Sequence, residues 1–574
     1  MESDNFKIVS VSFDKVSIEI LEPSSFEGEF SIGSYVAIPC RSTIKKDAIG
    51  IIDNYKIKDM GGGDANSYSI TSFILEVSLI GTLTHKTDRK IFLRGGHGIP
   101  LPPVNDIRIL ESDDLNIIFN TGLNKSDKFD FSSLSQNTEI RTPVNGNKFF
   151  NKHFAIVGST GSGKSHTVAR IIQSATAVKS TDYSELNNSH IVIFDIHGEY
   201  RSAFPNCNYV DEKNIKIPYW LLNDEELSEL FIESSENNSH NQVSQFRYAV
   251  TKNKELHNPG QKVYFDSPHY FDIREVVTYL KNMTNELISK KDGKKPVANS
   301  TLVINERLPC YFNEEFDFVK ESSLVNGPFN GEFDRLIIRL ENILNNGRLR
   351  FLFNDVNYIG LDEILKQFIG YMDKKSNVTV INLSGIPFEV ISITVSLITR
   401  VLFEFGYYTK RCLQESKVSD VPLLLVYEEA HKYIPRSDLG KYRASKFAIE
   451  RLAKEGRKYG VTLAIVSQRP SEVSETIFSQ CNNFISMRLT NPEDQRTIKK
   501  LMPDTAGNMV DNLPILKCGE ALLIGDSITL PSRVIIDSCN PEPSSTDIPF
   551  YDIWSEQWKL VNFEKIIQTW KPKE

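Results

Sequence analysis

The stretch His153-Phe-Ala-Ile-Val157-Gly158-Ser159-Thr160-Gly161-Ser162-Gly163-Lys164-Ser165-His166 decides how the rest of the chain is read. Its apolar start predicts a strand, its centre fits G-x-x-x-x-G-K-[ST], and the Thr167-Val-Ala-Arg-Ile-Ile run that follows predicts a helix. Glycines let successive backbone N–H groups turn toward a phosphate, and the helix N-terminus adds its partial positive charge. Lys164 is placed to reach the β- and γ-phosphates, and the Ser165 hydroxyl to ligate Mg²⁺. Gly158, Ser159, Thr160, Gly161, Ser162, Gly163, Lys164, Ser165 and His166 are therefore the expected ATP-binding residues.

Outward from this loop, apolar runs alternate with helical ones. Ile191–Phe194, Val378–Leu383, Leu423–Tyr427, Val461–Val466, Phe484–Leu489 and Ala521–Ile524 read as strands buried on both faces. The pattern predicts an α/β fold, a P-loop NTPase core of RecA-like type with a parallel-rich sheet, over 141–202 and 376–540. The connection between the second and third core strands is far longer than a βα unit needs. Residues 203–375 are read as a mainly helical insertion, with helices at Asp224–Ser234, Asp272–Ser289 and Glu332–Asn346 and polar joins at 235–241 and 289–300. Residues 1–140 hold short β-type runs, Lys7–Phe13, Ser34–Pro39, Ile70–Ile80 and Asn116–Phe119. Gly61-Gly62-Gly63-Asp64, Gly95-Gly96 and Pro100, Pro102 and Pro103 break them, as in a small barrel or sandwich. Residues 541–574 form a C-terminal extension in which Trp554, Trp558 and Trp570 read either as intrachain packing or as a surface for a neighbouring subunit.

Hydrolysis needs an acid facing the metal and a group that polarises the attacking water. Leu423-Leu-Leu-Val-Tyr427 ends in Glu428 and Glu429, which suits Glu428 to the Mg²⁺ and Glu429 to the water. Glu428 is one methylene longer than the Asp that many P-loop proteins carry there. Gln468, at another strand end, has the length and the amide of a γ-phosphate sensor. Asp195, His197 and Glu199 surround Gly198 and read equally as a turn or as the edge of the site. In Arg443–Gly460, Ala444, Phe447, Ala448 and Leu452 are spaced for a buried stripe that turns Arg451 and Lys458 outward. That basic face is either solvated or offers an arginine finger to a neighbour's ATP, from Arg451 or Arg457.

The 574 residues carry 74 Asp and Glu against 66 Lys and Arg, a formal charge of −8. No global basic field draws the chain to nucleic acid, so a polyanion must meet a local patch or a ring of copies. The seven cysteines are scattered, with no CxxC pair, as for reduced thiols rather than disulfides or zinc. Met1-Glu2-Ser3-Asp4-Asn5 lacks the basic-then-apolar order of a signal peptide, and Arg400 and Glu404 interrupt the apolar stretch 391–405. A cytoplasmic protein without a membrane partner is the expectation.

The ordered set of Gly33-Ser-Tyr-Val-Ala-Ile38, His153–Ser165, Asp195–Tyr200, Glu428-Glu429-Ala-His431, Gly456-Arg-Lys-Tyr-Gly460, Ser467-Gln-Arg-Pro470 and Gly519–Gly525 resembles the HerA family of DNA translocases, within the HerA/FtsK group of P-loop motors. The resemblance implies a homo-oligomeric, hexameric ring that threads double-stranded DNA through a central pore, a HAS-barrel-like N-terminal domain, and ATP bound between neighbours. It implies that Lys152, just before the loop strand, reaches the shared site with Arg451 or Arg457. It further implies a partner nuclease or effector enzyme docked on the N-terminal barrel, in DNA-end processing or antiviral defence. Two alternatives stand beside this reading: a ring that moves protein, and an ATP-gated scaffold that assembles an effector with little translocation. A monomeric small-molecule kinase fits poorly with paired glutamates and arginines aimed at a neighbour.

Overall fold

The computed structural model describes residues 6–571 apart from 13, 21–29, 41–43, 59–71, 87–88, 96–106, 181–183, 232–238, 291–294, 300–301, 354–358, 416–419, 438–442, 502–506 and 545–547. The breakers Gly61–Asp64, Gly96 and Pro100, Pro102 and Pro103 lie outside the described residues.

Strands β1 (Phe6–Val11), β2 (Lys15–Ile20), β3 (Tyr35–Cys40), β4 (Lys46–Lys58), β5 (Ser72–His85), β6 (Lys90–Arg94) and β7 (Arg108–Ile109) form an antiparallel sheet in the order β1-β2-β5-β4-β3-β7, with β6 also on β5. The β4–β5 ladder slips at Ile49/Gly50 and Ile52/Asn54, and such bulges bend a long strand pair. Gly50 is required there, because an added Cβ would lie 2.4 Å from Val77 Cγ1. Alternation gives the sheet two apolar faces. Val16, Ile18, Val36, Ile38 and Val77 fill one, while Tyr35, Ala37, Ile49, Leu83 and Phe92 pack on helix α1 (Ser112–Asn120).

Helix α1 corrects the strand expected at Asn116–Phe119. Leu115, Ile118 and Phe119 are buried at helical spacing, and Asp113 and Asp114 suit the first turn, a period that a four-residue apolar window does not reveal. Arg108 donates to Asp114 at 2.6 Å and to Asp47 at 2.9 Å, pinning helix to sheet through two buried carboxylates.

Next along the chain come β8 (Lys128–Phe129), β9 (Ser132–Leu134), β10 (Asn137–Arg141), β11 (Val144–Asn145), α2 (Gly146–Phe150), β12 (Phe154–Val157), α3 (Lys164–Ala177), β13 (His190–Asp195), α4 (Tyr200–Ala203) and β14 (Asn208–Val210). Between β14 and the next core strand lie α5 (Asp224–Phe231), α6 (Ser239–His257), α7 (Ile273–Asn285), α8 (Cys310–Asn313), α9 (Asp334–Leu344), α10 (Arg350–Phe353) and α11 (Leu361–Ile369). Two small pairs sit among them, β15 (Leu287–Ser289) with β18 (Leu324–Asn326) and β16 (Val297–Ala298) with β17 (Leu302–Val303). The segment Asp272–Ser289 is thus a helix capped by the Asp272 side chain and then a strand, and part of the polar join 235–241 already belongs to α6.

The chain returns through β19 (Val378–Asn382), α12 (Phe388–Glu415), β20 (Leu423–Tyr427), α13 (Arg443–Glu455), β21 (Val461–Ser467), α14 (Glu475–Gln480), β22 (Asn483–Ser486), α15 (Pro492–Leu501), α16 (Gly507–Val510), β23 (Glu520–Gly525) and β24 (Ser532–Ile536). The central sheet runs β10-β9-β24-β23-β22-β12-β21-β20-β13-β19-β14. From β22 to β14 every pairing is parallel, and from β22 to β10 every pairing is antiparallel. Open parallel sheets bind ligands at the carboxyl ends of their strands, which here places β12, β13, β20 and β21 side by side.

Val390–Cys412 of α12 is the one helix among the described residues long and apolar enough to cross a membrane, and 72% of its most apolar window is buried. It packs against α5, α13 and β21 as a core helix. Its Arg400 donates to Glu226 of α5 at 3.0 Å, and Glu226 is fully buried. At the other end of the chain, α17 (Phe550–Ser555) and α18 (Phe563–Trp570) are exposed: Trp554 is 75%, Trp558 96% and Trp570 84% accessible, so packing within one chain does not bury them.

Candidate nucleotide site

The loop after β12 is shaped by what its glycines permit. Gly161 and Gly163 have φ of +70° and +103°, a region that L side chains rarely enter. At Gly158 an added Cβ would lie 2.5 Å from Ser162 Oγ and 2.8 Å from Met487 Cβ. Neighbouring strands hold the loop: Ser159 N–H donates to the Arg488 carbonyl at 2.7 Å, and Gly519 N–H to the Ser162 carbonyl at 3.1 Å.

Lys164 opens α3 and is almost wholly buried, its Nζ donating to the Ser159 carbonyl at 3.3 Å. Burial pulls this ammonium below its ordinary value, against the opposing pull of Glu429, Glu428 and Glu199. Ser165 Oγ donates to Glu199 Oε2 at 2.9 Å. His166, beyond the loop, has Nε2 3.7 Å from Glu542 and is half-exposed.

Glu428 and Glu429 follow β20 and are 2% and 6% accessible; one oxygen of each, Oε2, has no hydrogen-bond partner among the described residues. Burial, with Asp195, Glu429 and Glu199 nearby, pushes the Glu428 carboxyl well above the usual range, and Lys164 opposes this only in part. A buried carboxylate with an open oxygen, among other carboxylates and beside a hydroxyl, is the donor set a hard divalent cation satisfies. The residues fit Mg²⁺, with Ser165 and Glu428 to hold it and Glu199 beside them.

Asp195 and Glu199, alike in sequence, part company in the fold. Asp195 is fully buried and accepts from the N–H groups of His197 (3.2 Å), Gly198 (2.8 Å) and Tyr200 (3.0 Å), so it builds the turn. Glu199 faces the P-loop serine. Gln468, just past β21, accepts from Thr160 Oγ1 at 2.7 Å and so touches the loop directly. His431 and Ser467, which fall within the sequence motifs without a role of their own, stand between these groups: His431 Nδ1 lies 3.3 Å from Glu429 Oε2 and 3.3 Å from Ser467 Oγ.

The three basic candidates stay apart from their own chain's loop. Lys152 pairs with Asp526 at 2.5 Å, Arg451 lies over the Phe403 ring at 4.9 Å, and Arg457 is exposed just past α13. On α13 the buried stripe is Ala444, Ser445, Ile449, Leu452 and Ala453; Phe447, expected inside, is 45% accessible because packing on α12 sets the phase.

A family model described as "Helicase HerA, central domain" matches residues 129–402. The DNA double-strand break repair helicase HerA of Sulfolobus acidocaldarius is 27% identical over 482 residues, covering 82% of this chain and 80% of that one. The chain is similar to the HerA family, through its central domain and over most of its length. The HerA of Saccharolobus solfataricus is 28% identical over 453 residues (76% and 73% covered), and the probable helicase MJ1565 of Methanocaldococcus jannaschii is 24% identical over 582 (98% and 96%). Solved structures with a looser likeness include VirB4 of Thermoanaerobacter pseudethanolicus, with a TM-score of 0.45 and 12% identity over 73% of this chain and 99% of that one. The similarity and the phosphate loop together make the chain a P-loop ATPase that uses ATP and Mg²⁺.

Proposed function

We propose that this HerA-like chain is the ATP-hydrolysing subunit of a ring, six copies in our reading, that moves double-stranded DNA through its centre. The observation that carries the reading is the convergence of four adjacent strand ends on one phosphate loop. β12 supplies Lys164, β13 the Glu199 turn, β20 the glutamate pair and β21 Gln468. The relatives named as DNA repair helicases supply the substrate class.

Bound Mg²⁺ supplies charge neutralisation to the phosphates. Ser165 and Glu428 would hold it, and Lys164, which donates to the Ser159 carbonyl, would exchange that neutral acceptor for the anionic phosphates. Glu429, buried and with an open oxygen, orients and polarises the attacking water. Gln468 reads the terminal phosphate across the loop it already touches. Arg451 or Arg457, or Lys152, completes the site of the adjacent copy. A partner nuclease or effector docks on the N-terminal sheet and does any cutting, in DNA-end processing or antiviral defence. The chain works in the cytoplasm.

The net charge of −8 favours a second reading, an ATP-gated scaffold that engages DNA only through a partner. Steady-state ATP hydrolysis with and without linear double-stranded DNA separates the two. Stimulation by DNA, lost in Lys164→Ala and Glu429→Gln, supports the motor; hydrolysis indifferent to DNA in an assembled ring moves the assignment to the scaffold.

A further inference from the structure

Three strand ends in the site are joined by side chains, and the joint passes through one atom. Thr160 on the phosphate loop bonds Gln468. The preceding residue, Ser467, accepts from Arg469 N–H at 3.0 Å, so its hydroxyl sits at the root of the Gln468 turn. That hydroxyl lies 3.3 Å from His431 Nδ1, and the same nitrogen lies 3.3 Å from Glu429 Oε2 without hydrogen-bond alignment.

We propose that His431 is a positioning residue that restrains the Glu429 carboxylate and couples it to the Ser467–Gln468 strand end. The inference rests on the reading of Glu429 as the group that polarises water.

The chemistry of Nδ1 makes the coupling exclusive. Burial, with Lys432 and Arg469 nearby, pushes the His431 imidazole down to about 4, so it is neutral at physiological pH. In a neutral ring Nδ1 either accepts the Ser467 hydroxyl proton or donates its own proton to Glu429; it does not do both. Glu429 is poised for either state. Its backbone is left-handed, with φ 48° and ψ 46°, a conformation that a non-glycine residue keeps only where its surroundings hold it. Its carboxylate is buried with one oxygen open, which costs free energy until a donor or water is supplied. A shift of Gln468 toward a phosphate moves Ser467, changes its hold on Nδ1, and so changes whether Glu429 is restrained or free to face water.

The test compares the full-length protein with His431→Ala, His431→Asn and His431→Gln, reading kcat and, separately, binding of a fluorescent ATP analogue. Asn puts its amide near the place of Nδ1, whereas Gln puts it near Nε2. His431→Ala is expected to lower kcat about tenfold or more while nucleotide affinity stays within about twofold. His431→Asn restores most of the turnover and His431→Gln does not. Ser467→Ala lowers kcat in the same direction, adds little on top of His431→Ala, and serves alone if the histidine variants do not fold. Equal rescue by Gln and Asn, or affinity falling in step with kcat, overturns the proposal in favour of a space-filling histidine. Full turnover in His431→Ala beside an inactive Glu429→Gln removes the coupling and keeps Glu429. Turnover in Glu429→Gln removes the reading on which the coupling rests.

Discussion

Thr160 on the phosphate loop and Gln468 at the end of β21 are bonded side chain to side chain at 2.7 Å, across more than three hundred residues of sequence. The bond joins the ends of two neighbouring strands, β12 and β21, and holds the residue we propose as the sensor against the phosphate loop. Gln468→Ala is expected to lower kcat about tenfold to a hundredfold, with ATP affinity nearly unchanged. Equal losses in both quantities would show Gln468 to be a binding group only.

Gly163 carries the loop's most demanding backbone, with φ +103° and Met487 Cε 3.2 Å from where a Cβ would sit. Gly163→Ala is expected to abolish detectable binding of ATP while leaving the far-ultraviolet spectrum of the folded chain intact. Gly161→Ala has open space, the nearest atom being Arg488 Nη2 at 4.0 Å, and only strained φ to bear. It is expected to lose about tenfold in affinity, a milder effect of backbone strain alone.

How much of this was legible in the sequence differs from part to part. The loop and its two strands were legible because strand, glycines, lysine and helix are local and each dictates the next. The glutamate pair was legible as a strand end. Asp195 and Glu199 were not separable, because only the turn shows that Asp195 spends its oxygens on three N–H groups while Glu199 keeps one for Ser165. The helix at Ser112–Asn120 was missed because four residues do not fix a period, and β24 because its short run pairs with β9, four hundred residues earlier. His431 falls within the Glu428–His431 run with nothing in the sequence to give it a role; the role proposed for it comes from two neighbours on different strand ends.

The raised carboxyl of Glu428 gives stability a definite slope with pH. In the unfolded chain this group ionises at its ordinary value; in the nucleotide-free folded chain it keeps its proton to higher pH. Between the two values the folded state binds more protons, so stability falls as pH rises through that window. Thermal unfolding without nucleotide should show Glu428→Gln gaining on the native protein as pH rises above the ordinary glutamate range, and losing Mg²⁺-dependent ATP binding. Parallel pH slopes for the two proteins contradict the assignment.

The buried pair Arg400–Glu226 joins the core helix α12 to α5, with Ser396 donating to the same carboxylate at 2.8 Å. Glu226→Ala strands a guanidinium that is 14% accessible, at a cost of about 3–5 kcal/mol. Denaturant unfolding should find that loss, and Glu226→Leu with Arg400→Met together should recover most of it.

Among the three basic candidates for the neighbour's site, Lys152 is tied to Asp526 and Arg451 lies over Phe403, whereas Arg457 is exposed with no ion pair among the described residues. Arg457→Ala is expected to abolish hydrolysis, and mixing it with Lys164→Ala protein to restore part of it, since some junctions then join an intact loop to an intact arginine. Mixtures that stay inactive while Arg451→Ala mixtures recover assign the role to Arg451.

The exposed C-terminal helices have an optical consequence. Of the four tryptophans in the chain, Trp220 is 7% accessible and Trp554, Trp558 and Trp570 are at least 75%. Intrinsic emission from an isolated chain is therefore dominated by water-exposed indoles, red-shifted and open to aqueous quenchers, and any partner that covers this segment announces itself as a blue shift without an added label.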